Sequence, residues 1–254
     1  MPPSPEPSTG STDSDPPAPW RGATRLLDLG DPKLRIQALR ITQMAHNDLQ
    51  KALAVHDYVK SLPFGCIAGF DHVPAGAVLR IGRGDCHTKG TLFVALLRSL
   101  GIPARLRFVT LPGTFLKGLV DTTHETITHA IGEVWLHGGW LRTDTYVADS
   151  ILEAQAAQVL RQQGLTLGYG VHVSGDHYWD GKRHAHAQFV DGDAASLPLQ
   201  DWGVAHDPED FYTHHAHTAL HGGWIGRVKW MFGAVLVNRA VEQLRQRPSA
   251  RAPT

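Results

Sequence analysis

The chain has 254 residues, of which 42% are hydrophobic and 19% charged, and its 24 basic residues balance its 24 acidic residues. Such a composition is typical of a globular protein that can bury a core, and the zero net charge gives no indication of a nucleic acid or a membrane as partner. The polar N-terminus predicts no signal peptide, and the apolar run at residues 230–237 is too short to span a bilayer. Two cysteines favour a reducing, cytoplasmic setting over a disulfide scaffold.

The N-terminal part of the chain predicts a disordered segment followed by helices. Residues 1–22 are rich in Pro, Ser and acidic residues and have little to bury, so we expect disorder. Apolar residues at helical spacing predict helices over 33–48 and 49–61. Residues 63–79 are predicted to form a loop.

A third helix is predicted to begin at Cys86. Asp85 is a good N-cap, Gly101 fits the position after the helix, and Pro103 prevents continuation. In the first turn of a helix, the backbone amides and the positive end of the helix dipole favour a thiolate. The same amides can bind the negative oxygen of a tetrahedral intermediate. We therefore interpret Cys86 as a nucleophile.

Beyond Gly101 the pattern predicts strands. Alternating residues indicate a strand over 104–111, and residues 129–146 predict two strands joined by a turn at Gly138-Gly139. Helices packed on an antiparallel sheet define an α+β fold.

The C-terminal part is less regular. A helix is predicted over 150–163 with Ser150 as its N-cap, and residues 164–222 lack sustained periodicity. A last helix over 224–246 is predicted to bury five apolar residues, which are Trp224, Val228, Met231, Val235 and Leu236, and to expose Arg239, Arg245 and Arg247.

A base and an orienting acid for Cys86 are predicted on the two strands. A cysteine nucleophile needs a base, and the base needs an acceptor that orients it. His129 opens the first strand and Asp144 lies on the returning strand, so their side chains can meet. A turn centred on the two glycines does not place them directly opposite, so a bulge or a diagonal contact is required.

Three blocks in this order resemble the transglutaminase-like superfamily. They are Gly-Asp-Cys at the helix start, Leu-Leu-Arg-Ser-Leu-Gly-Ile-Pro-Ala-Arg at its end, and His-Ala-Ile-Gly-Glu-Val-Trp-Leu followed by Asp144. The resemblance implies a papain-like α+β core with Cys86 as nucleophile, His129 as general base and acid, and Asp144 as the residue that orients His129. The family usually has Trp two residues after the histidine, where this chain has Ile131, so an aromatic wall is expected to be missing.

The resemblance implies a cysteine hydrolase that cleaves an amide or peptide bond of a peptide or protein through a thioester. Two alternatives stay open, which are a protein-glutamine acyltransferase that crosslinks proteins and a non-catalytic binding module of the same fold. We expect residues 23–150 to form the catalytic core and residues 151–254 an extension packed on it and ending in a helix. The second donor of the oxyanion hole cannot be assigned from the sequence, and neither can the oligomeric state.

The other reactive side chains favour structural roles. Cys66 lies in a loop with no matching partner block, His87 is interpreted as a neighbour of the nucleophile, and Glu133 as structural or solvated. The aromatic residues Tyr178, Trp179 and Trp202 are expected to pack the extension on the core, with a lining of the acyl-substrate cleft as the alternative. No cofactor and no metal are expected, because no Cys, Asp or Glu completes a ligand pattern with the histidines at helical or strand spacing, which are His184, His186, His214, His217 and His221.

Overall fold

The computed structural model describes residues 18–67, 72–120, 126–214 and 223–247. Its helices are α1 (Pro32–Ile41), α2 (Asp48–Ser61), α3 (Ala75–Ile81), α4 (Cys86–Ser99), α5 (Ser150–Gln163), α6 (Pro208–His214) and α7 (Gly223–Arg245). Its strands are β1 (Ala104–Pro112), β2 (Thr126–Leu136), β3 (Gly139–Thr143), β4 (Leu167–Gly168), β5 (Val171–His172) and β6 (Gln200–Ala205).

The main sheet has four antiparallel strands in the order β3-β2-β1-β6. Alternate residues of β1 and β2, including Leu106, Phe108, Ala130 and Val134, bury one face of the sheet in the main core with α1 to α4. This arrangement confirms the predicted α+β fold. The fourth strand, β6, comes from beyond residue 150, so the extension contributes directly to this sheet.

The C-terminal helix α7 packs on α5 through a second apolar cluster. Its buried side chains include Val237, Val241 and Leu244, whereas Val235 is 64% and Leu236 66% exposed. The prediction that Val235 and Leu236 face inward was therefore wrong. The buried stripe of α7 runs through Val237, Val241 and Leu244 instead. Trp224, Val228 and Met231 lie outside the residues whose side chains are described.

Arg245 also differs from its prediction as an outward residue. Its guanidinium group is 11% exposed and forms an ion pair with Asp149. Asp149 is the N-cap of α5, where its carboxylate accepts a hydrogen bond from the Leu152 amide, so Ser150 is not the cap. One carboxylate thus caps α5 and binds α7.

Several predicted boundaries need correction. The predicted loop over 63–79 is wrong for its last part, where the helix α3 begins at Ala75. This helix gives little signal in the sequence, because it has seven residues and no side-chain cap. The helix predicted over 33–48 ends at Ile41. The predicted disorder falls mostly outside the described residues, but it does not extend to Ala18–Arg21, a short 3-10 helix in which Trp20 packs edge-on against Trp140. Among the described helices, none is both long and apolar enough to cross a membrane.

The turn between β2 and β3 lies one residue earlier than predicted. Leu136 pairs with Gly139, so the central residues are His137 and Gly138, which have φ values of 54° and 82°. Two positive φ values are what a type I′ hairpin turn requires, and histidine is among the residues that tolerate them. The register then runs without a bulge to the pair Gly132 and Thr143.

Candidate active site

Cys86 is the first residue of α4, as predicted. Asp85 caps the helix by accepting a hydrogen bond from the Thr88 amide at 3.0 Å, and the Thr88 hydroxyl accepts one from the Asp85 amide at 2.9 Å. This reciprocal capping box fixes where the helix begins and so fixes the direction of the Cys86 side chain. At the other end, Gly101 has a φ of 79° and closes the helix as predicted.

His129 and Asp144 meet across the hairpin. His129 Nε2 lies 3.0 Å from Asp144 Oδ2, and both side chains are completely buried. In the hairpin register Gly132 pairs with Thr143, and Asp144 is the next residue after Thr143. Asp144 is therefore not directly opposite His129, and their contact is diagonal, which is one of the two solutions the sequence allowed. The other ring nitrogen, His129 Nδ1, is buried and has no hydrogen-bond partner among the described residues.

The second oxygen of Asp144 is held by the extension. The Ala187 amide donates to Asp144 Oδ1 at 2.7 Å, and the Asp144 amide donates to the Ala185 carbonyl at 3.3 Å. Burial alone would raise the pKa of Asp144, but the hydrogen bond from His129, the nearby charge of His186 and the Ala187 amide outweigh it and hold that pKa below its ordinary value. Asp144 is therefore a carboxylate at neutral pH.

Two buried lysines support the segment that follows Asp144. Lys89, on the second turn of α4, donates to the Val147 carbonyl at 2.9 Å. Lys60, on α2, donates to the Thr145 carbonyl and to Glu153 Oε2, each at 2.8 Å. Burial lowers the pKa of Lys89 well below its ordinary value, which reflects how completely this contact excludes water. Residues 145–148 are thus fixed against the helices behind the sheet.

Tyr146, two residues after Asp144, packs against α4. Its ring stacks on Phe93 with centroids 4.5 Å apart, and a methyl group added at Gly90, one turn after Cys86, would lie 3.2 Å from its hydroxyl. Burial, together with the charges of Asp144 and Cys86, raises the pKa of Tyr146 well above its ordinary value. Cys86 and Asp144 are therefore both near this phenol, whereas the approach of the thiol to His129 Nδ1 stays a prediction.

An aromatic wall beside His129 is present despite the isoleucine at 131. Ile131 is buried in a small apolar cluster with Phe115 and Phe189. The Phe115 ring lies 6.2 Å from the His129 ring. The expected gap is therefore filled by an aromatic residue from the loop after β1, which local sequence patterns around His129 could not indicate.

The remaining residues singled out in the sequence have structural contacts. The backbone of Cys66 is bound on both sides by the Asn238 side chain of α7. His87 Nε2 lies 3.2 Å from the Thr128 carbonyl, with its ring stacked on Phe108. Trp179 is buried in the main core, whereas Tyr178 is 71% and Trp202 37% exposed.

The histidines do not assemble into a metal site in the part of the chain that the structure describes, where no group of three or more His, Cys, Asp or Glu side chains could hold an ion. His184 Nδ1 accepts a hydrogen bond from the Arg142 amide, whereas His186 faces Asp144. His217 and His221 lie outside the described residues.

Glu133 occupies the same face of β2 as His129, but it serves a different purpose. Its carboxylate is completely buried and accepts hydrogen bonds from three arginines, at 2.6 Å from Arg105, 2.6 Å from Arg107 and 2.9 Å from Arg142. Burial alone would raise the pKa of Glu133, but Arg107 and Arg105 outweigh it and lower that pKa. Glu133 is therefore structural, and it is buried rather than solvated.

The described residues thus combine an α+β fold, a cysteine at a helix N-terminus and a buried His-Asp pair at a hairpin of the sheet. Residues 36–145 match the family model described as transglutaminase-like superfamily. This segment is thus similar to that superfamily, and Cys86, His129 and Asp144 all lie within it. No curated protein matches the chain.

Two solved structures resemble part of the chain. A candidate cysteine protease from Cytophaga hutchinsonii has a TM-score of 0.39 and 23% identity, over 49% of this chain and 40% of that one. A candidate protease from Parabacteroides distasonis ATCC 8503 has a TM-score of 0.35 and 17% identity, over 46% of this chain and 24% of that one. The match thus spans less than half the length of either protein, and the assignment rests on the family model.

Proposed function

We propose that this protein is a cysteine hydrolase that cleaves an amide or peptide bond of a peptide or protein through a thioester. The observation that supports this most strongly is the buried pair of His129 and Asp144. Asp144 occupies Nε2 of the imidazole and leaves Nδ1 buried and without a hydrogen-bond partner among the described residues. An imidazole oriented in this way is suited to exchange a proton with a thiol.

In the first half of the reaction, the Cys86 thiol transfers its proton to His129 Nδ1 and the thiolate attacks the amide carbonyl. The carbon–sulfur bond forms, and the Cys86 amide at the start of α4 donates to the resulting oxyanion. The C–N bond then breaks, and His129 returns the proton to the departing amine. The product that stays on the enzyme is a thioester.

In the second half, water replaces the amine. His129 Nδ1 removes a proton from the water as it attacks the thioester carbonyl, and the C–S bond breaks. The proton passes to the Cys86 sulfur, which restores the starting state. The Asp144 carboxylate stabilises the imidazolium ion in both halves, and its bond from Ala187 keeps it oriented without a change of protonation.

The test is covalent labelling with a peptide-based acylating probe. We expect intact-protein and peptide mass spectrometry to find one adduct on Cys86, and a peptide library of the same chemistry to define the preferred acyl group. Cys86→Ala should abolish the adduct. Cys66→Ala is the matched control, since it removes the other cysteine of the chain and should leave labelling unchanged.

Product analysis separates hydrolysis from acyl transfer. With a peptide amide substrate and an added primary amine, hydrolysis predicts the free acid as the main product, whereas dominant amine incorporation would indicate a crosslinking enzyme. Amide turnover that survives in Cys86→Ala would contradict the proposal.

A further inference from the structure

His186 is a second histidine at Asp144. It lies in the extension, 42 residues after the aspartate in sequence, and its Nδ1 is 3.9 Å from Asp144 Oδ2. That oxygen is the same one that His129 binds at 3.0 Å. A single carboxylate oxygen therefore lies within 3.9 Å of a nitrogen from each of two imidazoles.

The position of His186 is fixed by its neighbours. Its ring stacks on Phe189 with centroids 4.3 Å apart, and its own amide donates to Asp176 Oδ2 at 3.1 Å. The adjacent Ala187 amide binds the other oxygen of Asp144. The side chain is 20% exposed, yet Nδ1 is buried with no hydrogen-bond partner among the described residues. The partly exposed ring is thus held beside the fully buried carboxylate, with an unbonded nitrogen 3.9 Å from it.

The protonation state of His186 changes what it does to the pair. Burial lowers the pKa of His186, and the negative charge of Asp144 opposes that shift, so the ring is neutral at pH 7 and gains a proton in acid. A protonated Nδ1 is a donor and a positive charge, and it competes with His129 for the same oxygen. The charged and titratable groups around His186 are Asp144, His129, His184, Arg142 and Asp176.

We propose that His186 is a positioning residue that shields Asp144 when neutral and, when protonated, draws Asp144 away from His129. This inference rests on the proposed function, because its consequence is a loss of reactive Cys86 thiolate. An imidazolium at His129 that loses its aspartate partner returns its proton to the thiolate, so the ion pair collapses to the neutral pair.

The first experiment measures the contact without any activity. Imidazole NMR of ¹⁵N-histidine-labelled protein follows the titration of His186 in the wild type and in Asp144→Asn. Removing the negative charge should lower the pKa of His186 by about one unit. Because this readout needs neither substrate nor a reactive thiol, it can succeed even if the proposed hydrolase activity fails. An unchanged titration of His186 would overturn the proposal.

The second experiment measures the consequence, as the pH dependence of the alkylation rate of Cys86. His186→Phe keeps a ring that can stack on Phe189 but cannot be protonated. We expect the acid limb of its alkylation profile to lie about half a pH unit or more below that of the wild type. His186→Gln should behave in the same way, which separates charge from packing.

His184→Gln is the matched control, because it removes an exposed histidine of the same segment that binds the Arg142 amide rather than Asp144. Because the charge of His184 helps to lower the pKa of His186, the acid limb of this variant should move only slightly, and to higher pH, opposite to the shift in His186→Phe. Superimposable limbs for the wild type and His186→Phe would overturn the proposal, as would a shift in His184→Gln as large as that in His186→Phe.

Discussion

Two buried carboxylates on one hairpin have opposite surroundings. Glu133 on β2 accepts hydrogen bonds from three arginines, and the Arg105 guanidinium also lies 3.9 Å from the centre of the Trp140 ring. Asp144, just after β3, accepts hydrogen bonds from one imidazole and one amide and faces a second imidazole at 3.9 Å. Both carboxylates are completely buried, and both have a lowered pKa.

From this difference we infer that the Glu133 cluster is structural and propose that the Asp144 cluster is the reactive one. The arginines around Glu133 are permanently charged, so that cluster has one protonation state at all ordinary pH values. The partners of Asp144 are histidines, whose imidazole nitrogens can take up and release a proton. A buried network with fixed charges serves stability, whereas a network that can exchange a proton is suited to catalysis.

Asp144→Asn tests the reactive cluster and should have the largest effect. Asparagine preserves the shape but replaces one acceptor oxygen with a donor, so it cannot stabilise the imidazolium ion of His129. We expect the acylation rate of Cys86 by the peptide probe to fall about 10²-fold to 10⁴-fold. The free energy of unfolding, measured by denaturant titration, should change by much less than the rise in activation free energy that corresponds to this loss of rate. A variant that retains full activity would remove the reason for distinguishing the two clusters.

Glu133→Gln tests the structural cluster. The variant leaves three buried or half-buried arginines without their shared carboxylate, so the free energy of unfolding should fall by about 3 kcal/mol. Denaturant titration measures this, and the labelling rate per folded molecule should stay within about threefold of the wild type, since Glu133 does not contact His129 or Asp144. A large loss of labelling in protein that remains folded would show that the clusters are not separate.

The two carboxylates also predict the acid response of stability. A carboxyl with a lowered pKa in the folded state stabilises the fold above its ordinary pKa, and this contribution is lost as the pH falls through the folded-state value. The stability gap between wild type and Glu133→Gln should therefore narrow between pH 7 and pH 3. The narrowing should be about 1.4 kcal/mol for each unit by which the pKa is lowered, as measured by urea titration. A constant gap would contradict the assigned direction of the shift.

The smallest expected effect concerns the wall beside His129. Phe115→Leu removes the ring 6.2 Å from the imidazole and should slow labelling about threefold, because a ring near the imidazolium ion contributes only modestly. Phe211→Leu is the control of equal volume change, since Phe211 stacks on Phe108 in the main core. Equal effects on labelling in both variants would assign the loss to general destabilisation.

Local sequence patterns correctly predicted the features that depend on interactions between residues close in sequence. The cap at Asp85, the start of α4 and the αL glycine at 101 follow from backbone hydrogen bonding within a few residues. The resemblance to the superfamily supplied the pairing of His129 with Asp144, and the structure brings these two together. Their offset across the hairpin was open in the sequence, because a histidine at positive φ shifts the turn by one residue.

Features that depend on distant segments could not be predicted. The bond from Ala187 and the position of His186 arise because residues 184–187 run along the end of β3, with Ala185 bridged to Thr143. No periodicity marks that segment. The inward face of α7 was predicted wrongly for a related reason. Several apolar residues of α7 could be buried according to the sequence, and the packing against α5 decides which of them are.

The central claim is that His129 and Asp144 activate Cys86, and competition between the two cysteines tests it most directly. Limited alkylation with iodoacetamide at pH 6, followed by peptide mass spectrometry, gives the rate at Cys86 relative to Cys66 in one sample. The account predicts that Cys86 reacts at least about 10²-fold faster and that His129→Ala removes most of this advantage. Equal rates at the two cysteines, or an advantage of Cys86 that persists in His129→Ala, would contradict it.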